Sequence, residues 1–298
     1  MDEKKYYYSE IFHSIQGEGH YTGVPTAWIR FFLCNLQCNG FGQIDPTNSD
    51  TYELPFEDFD VDSVKRVEDL PVWEKGCDSS YTWAKKFKKL MGHETPTVLA
   101  NKIVDTIKTD SNPEGTFLHP VTNQRQHLCI TGGEPLMVTG QMAFIGIYQE
   151  LERQNNLPGS ITFETNGTQL LTEDCADTLV LWKAECPKRE ITFSVSAKLS
   201  ASGETWEDAV KPEVVVGYER VGTTYLKFVV EKPNDLDEVD RAVKAYREAG
   251  FQGVVYIMPV GGVESVYDGN KFNIDVVAML RGYYYSQSLH VELWGNTF

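Results

Sequence analysis

The sequence predicts an α/β fold in which crossover helices join the strands of a parallel sheet. Short runs of β-branched and aromatic residues alternate with segments of helical periodicity along most of the chain. This alternation is typical of parallel sheets with right-handed crossovers. Several strands run into polar turns, where α/β sheets place their ligands. The strands and their turns occupy residues 26–33, 127–135, 160–167, 191–198, 225–230, 253–259 and 289–293.

The helices predicted between these strands carry their apolar residues on one face. The helix through residues 144–151 has apolar residues at the i, i+3, i+4, i+7 spacing of a core-facing helix. Another begins after Asn234, an N-cap residue, and ends at Gly250. Shorter helices are predicted at 84–93, 97–106 and 273–283, and a loop at 109–126.

Length and composition indicate a single globular domain. The chain has 298 residues, of which 41% are apolar and 23% charged, and these values are ordinary for a folded protein. No change in composition marks a linker, so residues 1–298 are predicted to form one domain. The net charge of −16 argues against general nucleic-acid binding, because phosphate contacts require a basic surface.

Neither a membrane span nor a signal peptide is expected. No apolar run reaches the roughly 18 residues of a spanning helix, and residues 1–5 lack the apolar core of a signal peptide. The expected location is the cytoplasm, where the six cysteines are more often reduced, buried or metal-bound than paired in disulfides.

Three cysteines are interpreted as one metal site divided by an insertion. Cys34 and Cys38 are spaced C-x₃-C, and Phe41 stands where a compact C-x₃-C-x₂-C motif would place its last cysteine. The next cysteine is Cys77. Three thiolates on a cubane iron–sulfur cluster leave one iron free to bind another ligand. A structural zinc site, or buried cysteines without metal, also fits this spacing.

The insertion, residues 39–76, is compatible with such a site. Enlarging the loop this much adds only about 2–2.5 kcal/mol of closure entropy, which ligation of a cluster can offset. Its acidic residues outnumber Lys65, Arg66 and Lys75. An acidic, polar segment of this kind is expected at the protein surface.

The segment 9–20, with Gln-Gly-Glu-Gly at residues 16–19, is predicted to form a ligand-binding loop. The glycines let the backbone approach a ligand, and Gln16 and Glu18 offer groups suited to a polar heterocycle. The alternative for residues 16–19 is an ordinary turn.

Arg30 lies within the apolar strand that follows, so it requires an anionic partner, either a protein acid or a substrate carboxylate. The alternative for Arg30 is a side chain that faces outward from a half-buried strand.

Two further polar turns follow predicted strands. Residues 131–135, Thr-Gly-Gly-Glu-Pro, come directly after a strand, and a carboxylate at that place can pair with a ligand ammonium group. The turn at residues 164–167, Glu-Thr-Asn-Gly, repeats the pattern.

Together these segments resemble the radical SAM superfamily, and within it the 7-carboxy-7-deazaguanine synthase family. The likeness covers most of the chain outside residues 39–76 and part of 84–126. The segments that carry it, in the family's order, are Ser14–Gly19, Arg30 with Cys34 and Cys38, Cys77–Ser79 with Tyr81–Trp83, Thr131–Pro135, Glu164–Gly167 and Leu293–Asn296. The resemblance implies a partial, TIM-like βα barrel of the radical SAM type.

The resemblance also implies cofactors and the residues that hold them. Cys34, Cys38 and Cys77 would ligate a 4Fe-4S cluster, and Ser79 would contact a Mg²⁺ ion. S-adenosylmethionine (SAM) would be held by Gly133, Glu134, Ser196, Ala197, Lys198, Met258, Pro259, Val260 and Gly261. The substrate would meet Ile15, Gln16, Gly17, Glu18, Arg30, Thr131 and Phe298, with Arg30 and Glu164 as the expected catalytic residues.

By this resemblance the reaction contracts the ring of 6-carboxy-5,6,7,8-tetrahydropterin to 7-carboxy-7-deazaguanine with loss of ammonia. The implied partners are the pterin, an electron donor such as flavodoxin, and a second copy of the chain in a homodimer; neither nucleic acid nor membrane is expected. Two alternatives are a glycyl-radical-enzyme activating protein of the same superfamily and a non-enzymatic, zinc-binding interaction protein. Residues 16–19 and Arg30 favour the synthase over the activating protein.

Overall fold

The structure is a computed structural model that describes residues 3–261 and 273–294. Its strands are β1 (Tyr6–Ile15), β2 (Pro25–Phe31), β3 (Gly92–Glu94), β4 (His127–Gly132), β5 (Ser160–Thr165), β6 (Glu190–Val195), β7 (Thr223–Val230), β8 (Val255–Pro259) and β9 (Tyr284–Tyr285). They form a sheet in the order β3-β1-β2-β4-β5-β6-β7-β8-β9. Neighbours from β2 to β9 are parallel, whereas β1 is antiparallel to β2 and β3. Within the described residues β3 and β9 do not pair, so the barrel is incomplete and the predicted fold class is confirmed.

The longer helices cover the outer face of this sheet. The helices are α1 (Pro55–Asp58), α2 (Pro96–Thr106), α3 (Val138–Arg153), α4 (Glu173–Glu185), α5 (Trp206–Ala209), α6 (Pro212–Glu219), α7 (Asp235–Glu248), α8 (residues 273–280) and α9 (Leu289–Trp294). Thr95 and Thr172 cap α2 and α4 by accepting main-chain hydrogen bonds, and acidic residues in the first turn of α7 complement its dipole. None of the helices in the described ranges is both long and apolar enough to cross a membrane.

Strand alternation gives the sheet an apolar outer face and a more polar inner face. On the outer face, Ile130, Phe163 and Phe193 are buried against the helices. The ring of Phe163 lies 5.0 Å from that of Phe144 in α3 and 5.5 Å from that of Phe193, measured between centroids. The intervening residues of the same strands face inward. The polar side chains of β2 and β4–β8 therefore meet in one space.

Two terminal predictions differ from the structure. The segment 289–293, expected as a strand, is helix α9; only Val291 of it is buried, so its alternating apolar residues do not mark a half-buried strand. The segment expected as a loop before residue 16 is mostly the long strand β1, which pairs with β2. The basic segment 84–93 forms the 3₁₀ helix Lys85–Leu90 and leads into β3.

The insertion folds around a small core of its own. Phe56, Val61 and Trp73 pack with Ala84 and Phe87, which follow the insertion. The acidic side chains of the insertion are exposed, as expected. The apolar residues spaced among the acids are buried, and residues 67, 68 and 70–74 contribute to a cavity wall. A single-domain organisation stays a prediction.

Candidate active site

A cavity of about 760 Å³ lies at the carboxyl ends of the parallel strands. Inward-facing residues form a row across the sheet that leads to it. The register pairs Arg30 with Glu10 on one side and Thr131 on the other, and it pairs Glu164 with Ser194. All five line the cavity, so the pairing of five neighbouring strands, including the irregular register between β1 and β2, places these polar groups together.

The three cysteines of the divided motif line the same cavity. The chain leaves the first cysteine loop at Phe41 and returns at Gly76, where the Gly76 N–H donates to the Phe41 carbonyl at 2.7 Å. Because the ends of the excursion meet, Cys77 begins beside the point where a compact motif would end. The structure thus brings Cys77 to the cavity that Cys34 and Cys38 line.

The loop that carries Cys34 and Cys38 is fastened by a carboxylate. One oxygen of Glu204 accepts hydrogen bonds from the main-chain N–H groups of Gln37 and Cys38, at 2.8 and 2.7 Å. Cys38 has a left-handed backbone with φ of 54°, which is uncommon in a residue other than glycine. The Glu204 contacts stabilise this turn with its thiol at the cavity wall.

In the described residues the three thiols are not arranged as a site for a single ion. Burial raises the pKa of Cys34 to about 12 and also raises the pKa of Cys38 and Cys77, so bound metal would have to displace their protons. In the part of the chain that is described, no three His, Cys, Asp or Glu side chains are grouped closely enough to hold one ion. Zinc needs every sulfur at about 2.3 Å from one centre, whereas a cubane binds each thiolate through a different iron.

Ser79 lies beside the third cysteine. Its hydroxyl oxygen is 3.5 Å from the sulfur of Cys77, and both Ser79 and Asp78 line the cavity. A hydroxyl and a carboxylate are oxygen donors of the kind that Mg²⁺ takes.

Gly133 packs directly against the first cysteine loop. A Cβ atom at this position would lie 2.4 Å from the carbonyl oxygen of Leu33 and 2.7 Å from the Cβ of Cys34. These contacts are too short for any side chain. The turn after β4 therefore approaches the cysteine loop closely only because glycine occupies this position.

We expect Gly133→Ala to displace the cysteine loop, lowering the unfolding free energy by about 1–3 kcal/mol and reducing iron retained after anaerobic reconstitution. Denaturant titration and iron analysis measure the two effects. The matched control is Gly217→Ala in α6, where an added Cβ meets no atom within 4 Å and alanine stabilises a helix by up to about 1 kcal/mol. Equal stability and iron content in the two variants would contradict the steric account.

The carboxylate of Glu134 is occupied by protein groups. It accepts hydrogen bonds from the main chain of Leu136 and Asn166, at 2.9 and 2.7 Å, and from the Thr165 hydroxyl at 2.7 Å. Burial raises the pKa of Glu134 to about 7 despite these bonds. Glu134 therefore joins the turn after β4 to the turn after β5, and its carboxylate is buried in that junction.

Glu164 is the carboxylate at the centre of the inward-facing row. Gln16 donates to one of its oxygens at 3.3 Å and the Thr131 hydroxyl to the other at 3.1 Å. The main-chain N–H of Glu18 donates to the Gln16 side chain at 3.2 Å. The loop of residues 16–19 and the β4 turn thus orient one carboxylate, as a polar ligand site requires.

Arg30 pairs with a protein acid, an option that the sequence left open. Its Nε atom donates to Glu10 at 2.8 Å. Burial alone would lower the pKa of Arg30, but nearby Tyr81 and Glu10 raise it overall, so the guanidinium stays charged at the cavity wall.

Glu18 forms a buried ion pair with Lys227 of β7. The Ser288 hydroxyl donates to its other oxygen at 3.3 Å, and His290 lies 4.0 Å from that oxygen. Burial would raise the pKa of Glu18, but the charge of Lys227 outweighs it and lowers the pKa to about 2. The Leu289 N–H also donates to the Gly17 carbonyl at 2.9 Å. The C-terminal segment therefore closes over the residue 16–19 loop.

The remaining predicted site residues divide into two groups. Those that line the cavity are Ile15, Gly17, Ser196, Lys198, Met258, Val260 and Gly261. Ala197 and Pro259 are buried in the turns between them and do not contribute to the described lining. Lys198 donates to the Ser196 hydroxyl at 3.1 Å, which leaves both polar groups at the wall. Phe298 lies outside the described residues.

Three functional residues were not predicted from the sequence: Glu10, Lys227 and Glu204. Lys227 carried a usable signal, because it is a charge inside an apolar strand, as Arg30 is. Glu10 and Glu204 carried none, since their partners depend on strand pairing and on the path of the cysteine loop.

These features define an incomplete α/β barrel with three cysteines and a row of polar groups at one cavity. Over nearly its full length the chain is similar to 7-carboxy-7-deazaguanine synthases. It is 26% identical to the synthase of Halobacterium salinarum over 300 aligned residues, covering 97% of this chain and 90% of the relative. It is 25% identical to that of Pyrobaculum aerophilum over 292, covering 96% and 94%.

The fold has a solved counterpart. The crystal structure of QueE from Escherichia coli matches with a TM-score of 0.54 and 20% identity, covering 96% of this chain and 95% of that one. No protein-family model matches the chain. The curated relatives carry the name of the family that the sequence resembles, and the solved structure supports the predicted fold.

Proposed function

We propose that this chain is a 7-carboxy-7-deazaguanine synthase, a radical SAM carbon–nitrogen lyase. It would convert 6-carboxy-5,6,7,8-tetrahydropterin to 7-carboxy-7-deazaguanine with loss of ammonia, a step of 7-deazapurine biosynthesis that leads to queuosine or to modified DNA. The observation that carries the proposal is one cavity that joins the three cysteines to Arg30, Gln16 and Glu164, in a chain with full-length similarity to such synthases.

Cys34, Cys38 and Cys77 would hold the 4Fe-4S cluster, and SAM would bind in the same cavity. Bound together, these groups supply the one-electron cleavage of SAM that starts the reaction by hydrogen abstraction. The main chain at Gly133 would meet the methionine end of SAM, with Ser196, Lys198 and the turn at Met258–Gly261 around the remainder. Glu134, Ala197 and Pro259 would hold these turns in shape.

The protein's own contribution is to position the pterin and exclude water. Arg30 would bind the substrate carboxylate through paired hydrogen bonds. Glu164, already oriented by Gln16 and Thr131, would accept hydrogen bonds from N–H groups of the heterocycle. The segment that closes over residues 16–19 would seal this end of the cavity.

Further components follow from the proposed chemistry. Ser79 would contribute its hydroxyl to a Mg²⁺ ion that binds substrate oxygens and stabilises negative charge. The enzyme would be a homodimer, reduced by a donor such as flavodoxin. It would act in the cytoplasm, where its cysteines, all free of disulfides in the structure, stay reduced.

The test is an anaerobic assay. Protein reconstituted with iron and sulfide is expected to contain about four irons per chain, and to form 7-carboxy-7-deazaguanine when reductant, SAM, Mg²⁺ and the pterin are added. Mass spectrometry follows the product and 5′-deoxyadenosine. Formation of 5′-deoxyadenosine without the deazaguanine would reject the substrate and keep the radical chemistry. Colourless protein containing stoichiometric zinc would reject both.

A further inference from the structure

Glu10 is aimed at Arg30 by an irregularity in the first strand. Tyr8 pairs with Phe31, yet Glu10 pairs with Arg30, so β1 has one residue more than β2 at this point. Without that extra residue, positions 8 and 10 would share a face, because strand side chains alternate. The bulge at Ser9 turns Glu10 toward the cavity while Tyr8 contacts Lys102 of α2. The Ser9 hydroxyl donates to the Arg30 carbonyl at 3.2 Å, which fastens the bulge to β2.

The carboxylate of Glu10 holds only one edge of the Arg30 guanidinium. The Nε atom donates at 2.8 Å, and both side chains are about four-fifths buried, with 22% and 18% of their area exposed. Among the described residues, neither terminal nitrogen of Arg30 has a hydrogen-bond partner. The two terminal nitrogens are thus left to a ligand. A guanidinium held at one edge presents a fixed pair of donors, which is the geometry that a carboxylate accepts.

Tyr81 connects this pair to the third cysteine. Its hydroxyl donates at 3.0 Å to the same Glu10 oxygen that Arg30 binds. Tyr81 lies in a short 3₁₀ turn, Ser80–Thr82, whose Ser80 N–H donates to the Cys77 carbonyl at 3.1 Å. The Leu33 N–H donates to the Thr82 carbonyl at 2.7 Å, next to Cys34. One turn therefore contacts both cysteine segments and the acid that orients Arg30.

We propose that Glu10 and Tyr81 are positioning residues that set the specificity of Arg30 for a carboxylated ligand. Glu10 fixes the guanidinium so that both terminal nitrogens reach the ligand carboxylate, and Tyr81 fixes Glu10 relative to the cysteine turn. This inference rests on the proposed function, since the ligand is then the carboxypterin or its carboxylated product. An arginine side chain stays protonated in proteins even without an acidic partner, so loss of Glu10 is expected to change the orientation of Arg30 and not its charge.

The test compares two stable ligands, 7-carboxy-7-deazaguanine and 7-deazaguanine without the carboxylate, by equilibrium titration of the anaerobic holoprotein. The ratio of their affinities isolates the contribution of the carboxylate. We expect Glu10→Ala to reduce this ratio roughly tenfold or more, the size of one lost charge-assisted hydrogen bond. Glu10→Gln, which keeps an acceptor for the Arg30 N–H, should retain the ratio within about threefold.

Tyr81→Phe removes a single hydroxyl and serves if Glu10→Ala does not fold. It should reduce the ratio about threefold or more with unchanged iron content. The matched control is Tyr21→Phe, which removes a similar tyrosine–glutamate hydrogen bond, to Glu190 at 2.8 Å, outside the cavity lining; its ratio should equal that of the wild type. In turnover assays Glu10→Ala and Tyr81→Phe should raise KM for the pterin more than they lower kcat.

The two proposals fail in different ways. A wild-type protein that prefers the carboxylated ligand, with an unchanged ratio in Tyr81→Phe, and in Glu10→Ala where that variant folds, overturns the positioning role and leaves the function intact. A wild-type protein that binds neither ligand and forms no deazaguanine contradicts the proposed function and this inference together.

Discussion

Cys77→Ala is expected to abolish the iron–sulfur cluster although Cys77 is separated from Cys38 by the whole insertion. A cubane held by only two thiolates from this chain loses one of its three anchors, and the reconstituted variant should be colourless with little bound iron. Turnover of SAM should then fall to background. Iron and sulfide analysis of the desalted protein measures the effect directly.

The matched control is Cys186→Ala. Cys186 lies at the end of α4 and outside the cavity lining, so its loss should leave iron content unchanged. An iron content equal to that of the wild type in both variants would contradict the divided motif. Cys77 would then be an ordinary half-buried cysteine.

Lys227→Met is expected to lower the unfolding free energy by about 3 kcal/mol at neutral pH. The substitution keeps an unbranched side chain and leaves the buried Glu18 carboxylate without its cation, which is the costly way to break a buried ion pair. Removing both charges, in Glu18→Gln with Lys227→Met, should recover much of the loss, because no buried charge then lacks a partner. Urea titration of the wild type, Lys227→Met, Glu18→Gln and the double variant completes the cycle.

The same pair predicts a pH dependence. The pKa of Glu18 is about 2 in the folded protein and about 4.3 when unfolded, so its stabilisation is present above roughly pH 5 and is lost as the pH falls toward 2. In Lys227→Met the carboxyl can protonate in the fold, and the deficit relative to wild type should shrink as the pH falls through this range. His290 and Ser288 also face Glu18, so the double variant is the reference. A deficit that is constant from pH 7 to pH 3, or a double variant as unstable as Lys227→Met, would contradict the ion-pair account.

The sequence was most informative where reactive residue types follow strands. The turns after β4 and β5 and the loop at residues 16–19 could be located because paired glycines and polar groups interrupt apolar runs. The parallel sheet then brings such turns to one edge whatever the helices between them do. Thr131 and Glu164 accordingly lie within one hydrogen bond of each other.

Other parts of the site could not be predicted from the sequence. Glu10 faces the cavity only because of the bulge at Ser9, and a bulge is a property of two paired strands. The core of the insertion was hidden because acidic residues dominate its composition, although Phe56, Val61 and Trp73 are buried. Helix α9 was predicted as a strand because its apolar residues alternate with polar ones. That alternation does not show which of the apolar residues are buried in the folded protein.

The hydrogen bond between Gly76 and Phe41 makes the segment between them a side branch of the main scaffold. Each doubling of the length of this branch costs only about 0.6 kcal/mol in loop-closure free energy. Its two ends lie side by side, so a guest polypeptide with adjacent termini could be inserted at the exposed residues 47–51 without shifting the thiol that follows. Misfolding of the guest would then be visible as bleaching of the metal chromophore, which would turn this junction into an optical reporter of folding.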